Sequence, residues 1–266
     1  MQIPAKKSLG QNFLKSKVAL GKMVLAGEVN ENDTILEVGP GKGVLTEKLL
    51  AIVKKVIAVE KDDRLISFLQ DKFAEEIKLG KLEIINKDIL DFEIGDREYK
   101  IIANIPYYIT GQFLRKFLEV ANQPTKIVVM VQKEIAQRIT AQDKKESLLS
   151  ISVKTYGTPK IIMKVGKENF SPAPKVDSAI LLINNISKNF FTTMDSTSSP
   201  RVIEQKFFEI LHAGFAHKRK MLLGNLKEKY GQQNNLSEIF TTCKIDSKIR
   251  AEDLALDQWK DIIKAL

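Results

Sequence analysis

The chain has 266 residues, 44% of them hydrophobic and 28% charged, enough for one good core and a small second module and too apolar for a disordered chain. Its formal net charge of +9 attracts polyanions at long range, which favours nucleic acid over an anionic membrane surface, set against the plainer reading of a basic surface that serves only solubility. One cysteine, Cys243, and two histidines, His212 and His217, exclude an intramolecular disulfide and a cysteine-built metal cluster and leave little for zinc, so no metal site is expected.

In chain order, the N-terminus is basic, but the apolar run after it, "VALGKMVLAG", is broken by Lys22 and too short for a secretory or membrane segment. A cytoplasmic protein is expected. Five short, apolar, β-rich runs follow: "TILEVG" (34–39), "KVIAVE" (55–60), "LEIINKD" (82–88), "KIIANI" (100–105) and "KIVVMVQ" (126–132). Near-continuous apolarity without alternation suits strands buried on both faces of a parallel sheet. Helical patterns such as "VLTEKLLAIV" and "RLISFLQDKFAEEI" lie between them, of the length a crossover needs. After a helical stretch from about Glu134 come "PKIIMKV" (159–165) and "SAILLIN" (178–184), which makes seven strand candidates. The pattern predicts an open α/β sheet with helices on both faces. At "NFFTTMDSTSSP" (189–200) Ser and Thr dominate and Pro200 closes the run, which reads as a linker. Beyond it, "RVIEQKFFEILHAGFAHKRKMLLGNLKEKY" and "AEDLALDQWKDIIKAL" carry helix-spaced apolar positions. The expected domains are therefore residues 1–188 and a small all-helical unit, 201–266.

The chemistry begins at "EVGPGKGVLTEKLL", which sets Gly39, Gly41 and Gly43 between a strand and a helix, where backbone can approach a ligand. A dinucleotide fingerprint needs a third glycine where Val44 stands, and Pro40 removes an N–H that a pyrophosphate cradle could use. Taken alone, the loop is as well explained by a purely structural turn. Glu60 ends the second strand about 20 residues on, where a carboxylate can accept both hydroxyls of a ribose. Asp88 ends the third strand, and Glu37 lies just before the loop. Three carboxylates at successive strand ends predict an acidic crevice that repels pyrophosphate and welcomes a cation. S-adenosylmethionine fits, with adenosine, a sulfonium, an amino group and no phosphate. The competing reading makes Glu60 and Asp88 helix caps.

"NIPYY" delivers Asn104 into the same crevice. The exocyclic amine of adenine is a poor nucleophile, because its lone pair is delocalised into the ring. The Asn104 side-chain oxygen and the Ile105 carbonyl can accept its two N–H bonds and hold that lone pair toward an incoming methyl. Pro106 fixes the backbone, and Tyr107 offers a flat face for stacking, worth about 1–3 kcal/mol per base. The blander reading makes Asn104 a turn residue and both tyrosines rim packing; Tyr108 is taken as structural. In "ENFSPAPKVDSAI" (168–180), Phe170 precedes Pro172 and Pro174, which predicts an exposed aromatic that sandwiches the base against Tyr107.

Seven motifs in order, "KKSLGQNFL", "ILEVGPGKGVLTEKLL", "AVEKDDRL", "NKDILDF", "NIPYYIT", "VQKEIAQRI" and "FSPAPKVDSAI", resemble those of the ribosomal RNA adenine N6,N6-dimethyltransferases, the bacterial small-subunit type above all. The resemblance runs from about Lys6 to Asn185 and continues more loosely through "FAHKRKMLLGNL" and "IRAEDL". It implies a Rossmann-like methyltransferase sheet of seven strands, the last antiparallel, and a small helical C-terminal domain. It also implies transfer of two methyls to each of two adjacent adenines in the 3′-terminal hairpin loop of 16S rRNA. In such an enzyme Asn12 and Leu14 line the methionine end of the cofactor site. Gly39, Gly41, Glu60, Asp88 and Asn104 supply its other contacts, Asp88 reaching the cofactor's adenine amine, while Tyr107 and Phe170 bracket the target base.

The expected partner is 16S rRNA in an immature small subunit, approached by a monomer. "KKSLGQNFLKSK" and "HKRK" (217–220) supply cations for phosphate, the alternative for the latter being a solvated helix face. The rivals are a large-subunit methyltransferase of the macrolide-resistance type, a DNA adenine methyltransferase, and an assembly factor without catalysis.

Overall fold

The structure, a computed structural model, describes residues 3–194, 199–231 and 235–266. The chain forms two compact units, Met1–Ala136 with Thr158–Ile186, and Gln137–Gly157 with Ser187–Leu266. The segment 137–157, which the sequence places with the sheet, therefore clusters with the helices of the second unit.

In the first unit a short ladder pairs β1 (Phe13–Leu14) with β8 (Phe170–Ser171), antiparallel. The main sheet contains β2 (Thr34–Val38), β3 (Lys55–Glu60), β4 (Leu82–Asn86), β5 (Lys100–Asn104), β6 (Lys126–Gln132), β7 (Thr158–Val165) and β9 (Ser178–Asn184). Its order is β4-β3-β2-β5-β6-β9-β7. The first five run parallel, and β9 is antiparallel to both of its neighbours. All seven predicted strands are present.

The apolar runs explain the layering. Ile35, Val56, Ala58, Ile102, Val128 and Ile180 form one buried face, against Leu20 and Met23 of α1 (Lys17–Ala26) and Leu45 and Leu49 of α2 (Val44–Leu50). The intervening residues Leu36, Ile57, Ile101, Val129 and Leu181 are equally buried, so both faces are covered. At the edges, β4 and β7 are only partly covered, and charged Glu83 and Lys160 are among their exposed residues. The long helix read from "RLISFLQDKFAEEI" is instead two, α3 (Asp63–Lys72) and α4 (Ala74–Lys78). The break falls at Phe73 (φ −116°, ψ 30°), whose ring is buried and packs where a Cβ on Gly43 would stand. Gly43 itself has φ +71°, so the turn into α2 requires glycine twice over. Beyond β5 lies α5 (Thr110–Glu119), which buries Phe113, Leu114, Phe117 and Leu118 at helical spacing.

Helix α6 (Lys133–Thr140) follows β6 in the chain. The second unit contains α7 (Leu148–Lys154), α8 (Asn189–Thr192), α9 (Pro200–Gly214), α10 (Leu222–Tyr230), α11 (Leu236–Thr242) and α12 (Leu256–Ala265). Tyr156, Phe190, Phe191, Phe207 and Phe208 form an aromatic cluster, and Phe215 stacks on the buried Trp259 with centroids 5.6 Å apart. The linker reading of 189–200 needs revision at its start. Asn189–Thr192 is a helical turn, with Phe191 fully buried and Met194 7% exposed, because apolar side chains in that run find a core. Residues 195–198 of that run lie outside the described residues.

Candidate active site

The strand order reverses between β2 and β5, and in open α/β sheets ligands bind outside the carboxyl ends of the strands at such a point. A cavity opens there, lined by residues 9–13, the loop after β2 and the ends of β3, β4 and β5. Of the predicted site residues, Asn12, Gly39, Gly41, Glu60, Asp88, Asn104, Ile105 and Tyr107 all line it.

The glycine loop carries an aromatic cover. Gly41 has φ +58°, and a Cβ there would lie 2.9 Å from the Phe13 ring, so the loop stays thin only as glycine. Glu60, 7% exposed, receives the Gly41 amide at 3.3 Å on Oε2 and the Lys61 and Asp62 amides at 2.9 Å on Oε1. Burial pushes its carboxyl above the ordinary value, while these amides pull it down. A carboxylate has about four acceptor positions, so capacity remains on the cavity side. Asp88 accepts the Leu90 amide at 2.9 Å, which makes it the cap of the turn Ile89–Asp91, and it holds Lys61 Nζ at 2.6 Å. The bond to Lys61 lowers its pKa and keeps it anionic. Capping and cavity lining thus coexist in Asp88.

Glu37 does not join them. Side chains alternate along a strand, so the residue before the cavity-lining Val38 points to the other face. There Glu37 is 1% exposed, with no partner on Oε2 among the described residues. Burial raises its carboxyl to about 8, with neighbouring Thr46 of α2 opposing the rise and the Glu60 charge adding to it. The crevice therefore has two acidic strand ends, with a third carboxyl behind the loop.

At the end of β5, Asn104 donates its Nδ2 to the Asn12 carbonyl at 3.0 Å. That bond decides which way the amide faces, and nothing among the described residues donates to its Oδ1. Ile105 is 2% exposed yet lines the cavity, and Pro106 opens the turn Tyr107–Ile109. Thr110 Oγ1 donates to the Tyr107 carbonyl at 2.9 Å, and the Tyr107 hydroxyl shares a hydrogen bond of 2.5 Å with Ser178. No acidic, histidine or cysteine cluster suited to a metal occurs among the described residues.

Two predicted residues are placed differently. Phe170 is 2% exposed, belongs to the core beside Ile180, and does not line the cavity. Pairing of β8 with β1 draws it inward, Leu14 opposite Phe170, so in this conformation it offers no face to a base. Leu14 is likewise a core residue, 6% exposed and absent from the cavity wall. The sequence reading also missed partners. Gln11 donates to Asp62 at 2.8 Å, Phe13 covers Gly41, and Tyr108, set aside as structural, lies on the cavity wall at 64% exposure. The first two flank Asn12 in "GQNFL", but nothing local shows what they touch.

S-adenosylmethionine can be tested against this donor set. Glu60 and Asp88 are acceptors suited to ribose hydroxyls and an amine, the loop is thinned by glycine, and Ile89 and Ile105 add apolar wall. The residues fit.

In the second unit, His217 and Lys220 both bind Glu228, His217 at 3.1 Å. Lys218 and Arg219 are exposed, with no ion pair among the described residues, so half of "HKRK" remains available to phosphate. In the first unit Lys6, Lys7, Lys15 and Lys17 are exposed.

Comparison with known proteins agrees with this geometry. Residues 3–266 match the family described as ribosomal RNA adenine dimethylase. A ribosomal RNA small subunit methyltransferase A of Dehalococcoides mccartyi is 39% identical over 96% of this chain and 86% of its own. The protein of that name from Fusobacterium nucleatum is 34% identical over 99% of this chain and 98% of its own. Among solved structures, a dimethyladenosine transferase from Plasmodium falciparum superposes with a TM-score of 0.77, 26% identity and coverage of 94% of this chain and 95% of that one. The 23S rRNA methyltransferase ErmE superposes with a TM-score of 0.76 over 96% of this chain and 99% of that one, and at 22% identity it shares the fold alone.

Proposed function

The chain belongs to the ribosomal RNA adenine dimethylase family, and from that premise we propose that it dimethylates the N6 amines of two adjacent adenines in the 3′-terminal hairpin loop of 16S rRNA. It acts as a monomer in the cytoplasm, on a small subunit not yet fully assembled. The observation that carries this reading is the Asn104 amide, at a residue that lines the cavity, its nitrogen engaged by the Asn12 carbonyl and its oxygen without a donor among the described residues.

S-adenosylmethionine supplies an electrophilic methyl carried on a sulfonium. Glu60 would hold the ribose hydroxyls and Asp88 the adenine amine of that donor, with Gly39 and Gly41 admitting it close to the backbone and Asn12 at its methionine end. The target adenine is taken out of its stack and laid on Tyr107. Asn104 Oδ1 and the Ile105 carbonyl accept its two N–H bonds, which localises the lone pair on nitrogen and aims it. The amine becomes acidic only as it is alkylated, so its proton leaves to solvent and no strong base is required. Alignment is the main contribution, of a kind that can reach about 7–11 kcal/mol.

The test is transfer of labelled methyl from S-adenosylmethionine to undermodified small subunits, with large subunits as control. Four methyls per small subunit, on two neighbouring adenines, are expected. Label on large subunits alone would move the chain to the specificity of the 23S enzymes, whose fold it shares.

A further inference from the structure

Tyr107 is held at both ends. Its carbonyl accepts from Thr110 Oγ1 at 2.9 Å, and its hydroxyl meets Ser178 Oγ at 2.5 Å. Ser178 opens β9 and is fully buried, in register with Gln132 of β6 on one side and Val165 of β7 on the other. The residue before it is also fixed: the Asp177 carbonyl accepts the Lys133 amide at 2.9 Å, and its Oδ1 accepts the Lys167 amide at 3.2 Å. Ser178 does not line the cavity, whereas Tyr107 does. The Tyr107 hydroxyl lies on the axis about which the ring turns, so fixing the backbone and the hydroxyl fixes where that axis runs, and the preference of a phenol O–H for the ring plane biases the turn about it. A stacking platform is useful only when it is in place before the base arrives.

We propose that Ser178 is a positioning residue for base capture: its hydroxyl, held by the antiparallel strand of the sheet, fixes the position and axis of the Tyr107 ring on which the extruded adenine stacks. This rests on the stacking role given to Tyr107 above. It gives the serine of "KVDSAI" a part in the reaction, two strands beyond β5 in the sheet. A purely structural serine would instead satisfy a buried hydroxyl, and its loss would lower stability without a kinetic signature.

The experiment is a double-mutant cycle on the full chain, using undermodified small subunits at saturating S-adenosylmethionine, with cofactor affinity and thermal midpoint measured for each variant. Ser178→Ala and Tyr107→Phe cut the same bond from opposite ends. Each should lower kcat roughly three- to tenfold, the span of one net hydrogen bond. The double variant should be no slower than the worse single, and cofactor affinity should stay at the wild-type value in all three. Losses that multiply in the double variant would overturn the inference, as would wild-type kcat in both singles or a loss that follows cofactor affinity. If Ser178→Ala folds poorly, Tyr107→Phe alone decides, since it removes the bond from the less buried end. Tyr107→Ala separates the two levels of the argument. Its methylating normally would sink the stacking role itself, while a crippled Tyr107→Ala beside a fully active Tyr107→Phe would sink only the tether.

Discussion

The two ends of the parallel strands use polar residues in opposite ways. At the amino ends, β3, β5 and β6 each begin with a lysine, and each lysine is closed into an ion pair. Lys55 meets Glu83, Lys100 meets Asp33 and Lys126 meets Glu28, all at 2.7 Å. At the carboxyl ends, Glu60, Asp88 and Asn104 are tied mostly to main-chain groups and still present acceptors to a cavity. The difference teaches what to look for in a sheet of this kind. Charges that neutralise one another locally serve the fold, whereas polar groups oriented by backbone and left partly unsatisfied are arranged for a ligand.

The comparison breaks most visibly at Asn104. Asn104→Ala should lower methyl transfer about 100- to 1000-fold, the usual cost of one preorganised polar group at a reacting centre, with subunit binding and thermal midpoint near wild type. An unchanged rate would take the amide out of the mechanism.

Glu37 sharpens the comparison, since it stands near a carboxyl end yet behaves as a core group. Its folded carboxyl keeps a proton up to about pH 8, while the unfolded one loses it near 4.5. The stability linked to it is therefore complete below pH 4.5 and drains away as the pH rises through 8. Glu37→Gln should abolish that loss, on the order of 5 kcal/mol across the window, seen as a thermal midpoint that falls with pH in wild type and stays level in the variant. Parallel curves would mean that the carboxyl is ionised in the fold.

Glu60 comes next. Glu60→Gln keeps the shape and weakens the charge-assisted acceptors, so S-adenosylmethionine affinity should drop about tenfold by calorimetry while RNA affinity holds. Normal cofactor binding would count against the ribose assignment.

The sheet and the strand-end residues were legible because each is a local signal. Apolar runs such as "KIVVMVQ" carry their own burial, and Glu60, Asp88 and Asn104 announce themselves by following such runs directly. What escaped depended on parity or on distance in the chain. Glu37 was misplaced by one position of the pleat, a shift that moves a side chain to the opposite face. Leu14 and Phe170 are turned inward by a ladder between segments more than 150 residues apart, which no local pattern reveals. Phe73 ended a helix because its ring was needed beside Gly43, a packing demand that overrides helical periodicity. The two prolines after Phe170 rightly argued against a central strand and wrongly suggested exposure.

The smallest effect is expected at the amino ends, and it tests the division of labour from the other side. Lys100 Nζ bonds both Asp33 Oδ2 at 2.7 Å and the Glu28 carbonyl at 2.9 Å, and both ionic side chains are 13% exposed. Asp33→Asn keeps the shape, leaves Lys100 its carbonyl partner and removes the opposing charge. Half-screened pairs fall between exposed ones and fully buried ones, so the cost should be about 1 kcal/mol of unfolding free energy by urea titration. Lys100 and Asn104 are the first and last residues of one strand, about 13 Å apart at the rise of an extended chain. A rigid strand passes no charge effect over that distance into an amide oriented by Asn12, so kcat for methyl transfer should match wild type. Were Asp33→Asn to slow the reaction at unchanged stability, the two ends of the strands would not be separable, and the acceptors in the crevice would owe their orientation to the ion pairs beneath them.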